Sequence, residues 1–155
     1  MGKQFKTVLS AVLALAVMTS CAMPAGEAKR DYEEDKIDGQ VVGGMTSFAF
    51  ELFKELNREQ GAGNIFISPL SVSTALTMTY NGSDGETREE MKTVLGYGQV
   101  SDQDVNDSFE NFAPYLMQAD QAVEIEMSNS IWYRAGESIG TDFLELNKKV
   151  FDASV

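Results

Sequence analysis

Residues Asn64 to Leu95, NIFISPLSVSTALTMTYNGSDGETREEMKTVL, join a charge-free helix to an acidic one through a glycine turn. No residue from Asn64 to Ser83 carries a charge, although charged residues are frequent elsewhere in the chain. A helix without a charged face is expected to be buried. Ser68 is a good N-cap, and Pro69 stands at the first helical position, where its missing N–H is no loss. The helix should run through Val72, Ala75, Leu76 and Met78 and end near Tyr80, with Asn81-Gly82 supplying the left-handed residue that closes helices. Its length approaches that of a membrane span, but seven interspersed residues (Ser68, Pro69, Ser71, Ser73, Thr74, Thr77, Thr79) make it too polar for lipid. It reads as the central helix of a soluble protein.

Working outward, residues Thr46 to Glu59 form an amphipathic pattern. Phe48, Leu52, Phe53 and Leu56 mark one face, and Glu51, Lys54, Glu55 and Arg58 the other. Asn64-Ile65-Phe66-Ile67 reads as a short strand leading into the buried helix. After the turn, Thr87 and Glu90 have the spacing of a capping box, with Met91, Val94 and Leu95 as the apolar edge and Gly96 as the stop. A fourth helix is predicted over Asp102 to Gln118, with Val105, Phe109, Phe112 and Leu116 on one face; Pro114 kinks it or ends it early. From Ala122 the period becomes two. Val123, Ile125, Met127, Asn129 and Ile131 alternate with Glu124, Glu126, Ser128, Ser130 and Trp132, which predicts a strand of a large sheet. Ala135 to Ser138 makes a turn, Thr141 to Phe151 a last helix, and Asp152 to Val155 the start of another strand.

The amino terminus is different in kind. Lys3 and Lys6 precede the apolar stretch Val8 to Val17, and Met18-Thr19-Ser20-Cys21 follows as a small-residue site, so residues 1–20 read as an export signal. Cys21 is the only cysteine and has no partner in the chain for a disulfide. Its place directly after the apolar stretch resembles the lipobox of bacterial lipoproteins, although Met18 stands where leucine is usual. On that reading Cys21 is lipidated, residues 21–45 are a flexible tether, and the protein is anchored on a membrane facing the periplasm or cell exterior. The alternative is a secretory signal cut after Ala22 or Ala25, giving a secreted protein. Removing the signal leaves 10 basic and 24 acidic residues, a formal charge of −14. Such a surface argues against nucleic acid and anionic membranes as direct partners.

The residue inventory excludes most chemistry. There is no histidine, so Ser-His-Asp and Cys-His catalysis and the usual zinc sites are ruled out. No phosphate-binding glycine loop is present. Asp102, Asp104, Asn106 and Asp107 begin like a calcium loop, but Asp107 and Ala113 stand where the turn glycine and the bidentate glutamate belong; they are better read as acids at a helix entry. Glu124 and Glu126 are explained as solvent-facing strand residues. No metal, no cofactor and no enzymatic activity are expected.

The string NIFISPLSV, then Ala75-Leu76, then NGSDGETxxEM from Asn81 to Met91, resembles the second helix and following turn of the serpin family. The likeness continues from about Thr46 to the last residue. It implies an α+β serpin fold over 46–155, its amino-terminal helices packed on part of a large mixed β-sheet that is incomplete here. It further implies a suicide substrate of serine proteases, whose exposed loop inserts into the main sheet after attack, a known instance of strand addition. The family supports the place where strands part with small hydroxyl and amide side chains. The matching positions are Asn64, Ser68 and Ser71, with Asn129 on the strand expected over them. Buried groups of this kind must be hydrogen-bonded, and exchangeable bonds let a sheet open without orphans. The fourth helix carries Asp102, Asp104, Asp107 and Glu110 and no basic residue, which argues against acidic polysaccharide as a partner. The sequence stops before any counterpart of the reactive loop, so inhibition is expected of a longer form only. The competing expectation is a non-inhibitory surface lipoprotein using the same fold as a binding module.

Overall fold

The computed structural model describes residues 31–155, apart from 62 and 121. The export signal, Cys21 and the first part of the tether lie outside the described residues.

Helix α1 spans Gly39–Gln60, capped by Asp38, whose Oδ1 accepts the Gln40 N–H at 2.6 Å. It begins seven residues before the predicted Thr46 and absorbs the end of the expected tether. The reason is tertiary: Val41, Met45 and Phe48 are buried at i, i+4 and i+7, and this burial outweighs the low helix propensity of Gly39, Gly43 and Gly44. The chain before α1 is also tied down. The Glu33 N–H donates to Asn111 Oδ1 at 2.7 Å, and the Asp38 N–H to Ser108 Oγ at 3.0 Å. A flexible tether therefore does not extend to residue 45.

Helix α2, Pro69–Tyr80, has the predicted bounds and the predicted Ser68 cap. Its expected all-round burial does not hold. Ser73, Thr77, Met78 and Tyr80 face inward, while Ser71, Val72, Ala75 and Thr79 are exposed. Lack of charge does not force burial here, because the hydroxyls bond their own helix: Ser73 to Leu70 O at 2.9 Å, Thr77 to Ser73 O at 2.7 Å and Thr79 to Ala75 O at 3.0 Å.

Helix α3, Gly85–Val94, starts at Asp84, whose side chain accepts from the Gly85 N–H at 2.8 Å. The Thr87–Glu90 capping box is not formed, since both residues already lie inside the helix. Helix α4, Asp102–Gln118, matches its predicted bounds, with Ser101 accepting the Asp104 N–H at 3.1 Å. Pro114 is buried within it and does not end it, since the helix runs on to Gln118. Helix α5, Thr141–Phe151, closes at Asp152, a left-handed residue with φ of 54°.

The large sheet is reduced to two short strands, β1 (Asn129–Ser130) and β2 (Ala153–Ser154), paired in parallel. The predicted alternation is visible nearby: Met127, Asn129 and Ile131 are partly covered, and Ser128, Ser130 and Trp132 point to solvent. A strand, however, is defined by its neighbours, and residues 123–128 have no ladder partner among the described residues.

The core lies where the helices meet, with Tyr80, Leu95, Tyr97, Val105 and Phe151 almost wholly buried. One polar group stands out in it. Asn147 is completely buried and its Nδ2 donates to Phe143 O at 2.8 Å, but no described residue donates to its Oδ1. An unmade bond of this kind costs on the order of 1–3 kcal/mol.

Candidate functional site

Of the four residues expected at the place where strands part, the structure brings two together. Ser68 Oγ caps α2, accepting the Ser71 N–H at 3.4 Å, and lies 2.8 Å from Ser71 Oγ. Both serines are exposed, as is Asn64, five residues before the first residue of α2. Asn129 is held elsewhere: its Nδ2 donates to Phe151 O at 2.8 Å, closing the end of α5 beside β1. That bond satisfies a carbonyl in the last turn of a helix, where intrahelical donors run out. The serine pair is therefore a local, exchangeable hydroxyl contact on an open helix face.

Beside the serines runs an apolar groove of about 460 Å³, lined by Ala49, Phe50 and Phe53 of α1 and by Ile65, Phe66, Ile67 and Pro69. Ile65 and Ile67 are half-buried, whereas Phe66 is fully exposed and Phe50 is 71% exposed. Contiguous exposed aromatic surface of this kind marks a face built to be covered. Among the described residues no group of three or more acidic, Cys or His side chains is placed to hold a metal ion.

The most connected polar feature was not anticipated. Arg88 of α3 donates to the carbonyl oxygens of Tyr80 at 2.9 Å and Ser83 at 3.1 Å, and to Asp102 Oδ2 at 2.5 Å. Its guanidinium carbon lies 4.2 Å from the centre of the Tyr80 ring. The Tyr80 hydroxyl donates to the other oxygen of Asp102, and a bond joins the Thr77 and Tyr97 hydroxyls. Burial works against the Asp102 charge, but the bonds from Tyr80 and Arg88 prevail and hold its carboxyl below the usual range. Burial, then the bond to Asp102, pushes the Tyr80 phenol up to about 12. Burial likewise pushes Tyr97 up to about 12, against the bond to Thr77. The partners lie 8, 14 and 22 residues apart in sequence, too far for periodicity to reveal.

Comparison with known proteins places this arrangement. Residues 44–155 match the family described as serpin (serine protease inhibitor). The chain belongs to the serpin family. That family consists of protease inhibitors rather than enzymes. The leukocyte elastase inhibitor of Xenopus laevis is 31% identical over 111 residues, which is 71% of this chain and 29% of that protein. A serpin-like protein of Thermococcus kodakarensis is 32% identical over 128 residues, 79% of this chain and 28% of its own length. Among solved structures, the one described as Cleaved Serpin 42Da superposes with a TM-score of 0.62 at 23% identity, covering 74% of this chain and 30% of that one. Human glycosylated kallistatin gives 0.63 at 22%, covering 75% and 32%. The structural likeness establishes the fold, in which five helices and the two-stranded sheet correspond to part of a serpin. The chain thus spans about three tenths of the length of these relatives.

Proposed function

We propose that these residues form the amino-terminal part of a serpin-type inhibitor of serine proteases, one that traps its target by inserting a cleaved reactive loop into the main sheet. Their part in that mechanism is mechanical: α2 is the backing on which strands separate. The observation that supports this most directly is the open face of α2. Ser68 and Ser71 bond only locally there, beside an uncovered aromatic groove, so a sheet laid across them exchanges hydroxyl bonds without stranding charge. The names of relatives such as the leukocyte elastase inhibitor and alpha-1-antiproteinase agree with this class of target.

The test uses the whole protein as its own cells make it, mixed with trypsin-like and subtilisin-like serine proteases. An SDS-resistant complex is the expected result. Simple cleavage with no complex would replace inhibition with a binding-module role for the same fold.

We also propose that the protein is exported and anchored through lipidated Cys21, with residues before Glu33 as the tether. Two or more acyl chains suffice for stable anchoring, each buried methylene contributing about 0.8 kcal/mol. Cys21→Ser should move the protein from the membrane fraction to the soluble one. A variant that stays with the membrane points to an uncleaved signal instead.

A further inference from the structure

Arg88 touches the ends of three segments at once. The Tyr80 carbonyl belongs to the last turn of α2 and the Ser83 carbonyl to the turn after it; the Tyr80 oxygen also accepts the Ser83 N–H at 3.0 Å and the Ser83 hydroxyl at 2.7 Å, so Arg88 reinforces a turn that is already closed. Asp102 is the first residue of α4, where a negative charge also faces the positive end of the helix dipole. The Tyr80 hydroxyl closes the ring by donating to the same carboxylate. The arginine side chain is 23% exposed and that of Asp102 48%, so the pair is sheltered on its inner side. Other charges face it as well: Asp84 and Lys92 act on Arg88 and Asp102 respectively, and Glu89 on Tyr80. Lys92 of α3 acts on Asp102 of α4 only through its charge, with no hydrogen bond between them.

We propose that Arg88 is a positioning residue that latches the end of α2 to the start of α4, so that α2, α3 and α4 hold as one rigid layer behind the moving strands. This rests on the inhibitor reading for its purpose, but its geometry stands apart from it. A backing that supports strand separation must not yield with the strands. The Ser68–Ser71 end of α2 is open to solvent, so stiffness has to come from the other end, where Arg88 sits. The role needs a planar fork, since two carbonyls and a carboxylate are bound in different directions while the flat face covers a ring. Lysine carries the charge but cannot do all three.

Amide hydrogen exchange on the whole protein tests the latch, with Arg88→Lys, Arg88→Met and Asp102→Asn compared against the natural sequence. Amides of residues 81–83 and of 104–106 should exchange faster together, by about ten-fold in Arg88→Met. Asp102→Asn should show the same paired rise, and Arg88→Lys should resemble Arg88→Met more than arginine. Amides in α5 are the internal reference and should change less than about two-fold. A rise confined to α3, an equal rise throughout the chain, or no rise would each overturn the latch. Those outcomes leave the inhibitor proposal untouched, just as failure to trap a protease leaves the exchange result standing.

Discussion

Gly44→Ala should destabilise the chain by about 3 kcal/mol, while Gly43→Ala, one residue away on the same helix, should stabilise it by up to about 1 kcal/mol. A Cβ on Gly44 would stand 2.5 Å from the Gly96 carbonyl oxygen and 2.9 Å from that of Leu95. Both obstacles are backbone and cannot swing aside. The approach is mutual, since a Cβ on Gly96 would meet the Gly44 Cα at 2.8 Å, and Gly96 already sits at φ of 74°. Leu95 and Tyr97 on either side are 1% exposed, so the turn after α3 has no room to retreat. A larger residue at 44 would therefore push α1 off the layer formed by α2 and α3. A Cβ on Gly43 meets nothing within 4 Å, and there alanine only removes the conformational freedom that glycine loses in a helix. Urea denaturation of the two variants decides the matter. Shifts of the same sign would mean that α1 and the turn do not meet as described.

How much of this could be read from the sequence depended on how local each signal was. Helices α4 and α5 were legible to the residue because their apolar positions recur within a few residues of each other. Helix α1 was misread at its start, where three glycines resemble a linker until Val41 and Met45 find partners far along the chain. The capping box at Thr87 failed because Asp84, three residues earlier, offered its side chain first. Alternation was real in its facing only from Met127 to Trp132, since Val123, Ile125 and Tyr133 are exposed; pairing depends on strands elsewhere, and only β2 supplies one among the described residues. The site follows the same rule. Ser68 and Ser71, three apart, touch each other; Asn129, which would have to cross space to reach them, bonds to Phe151. The Arg88 cluster joins positions with no shared period, so nothing short of coordinates could assemble it.

Replacing Tyr97 should have the other large effect, because its ring sits in the middle of an aromatic chain that crosses the core. Tyr80, Tyr97, Phe109 and Phe151 follow one another at centroid distances of 5.8, 6.5 and 5.4 Å, linking α2, the turn after α3, α4 and α5. Tyr97→Ala should cost about 3–5 kcal/mol, the range for emptying a buried aromatic site. Tyr97→Phe keeps the ring and loses the bond to Thr77, so about 1 kcal/mol is expected; Thr77 still donates to Ser73 O. The phenols add a pH signature. Tyr97 is pushed up to about 12 in the folded chain by burial, against about 10 when unfolded. A raised folded value contributes stability that is fully present below pH 10 and is lost as pH climbs toward 12. Tyr80 acts in the same direction. Denaturation midpoints measured from pH 9 to 12 should therefore fall steeply in the natural sequence and less steeply in Tyr97→Phe. An unchanged slope in that variant would mean that the Tyr97 hydroxyl reaches water, and with it that the turn after α3 is not sealed between α2 and α4.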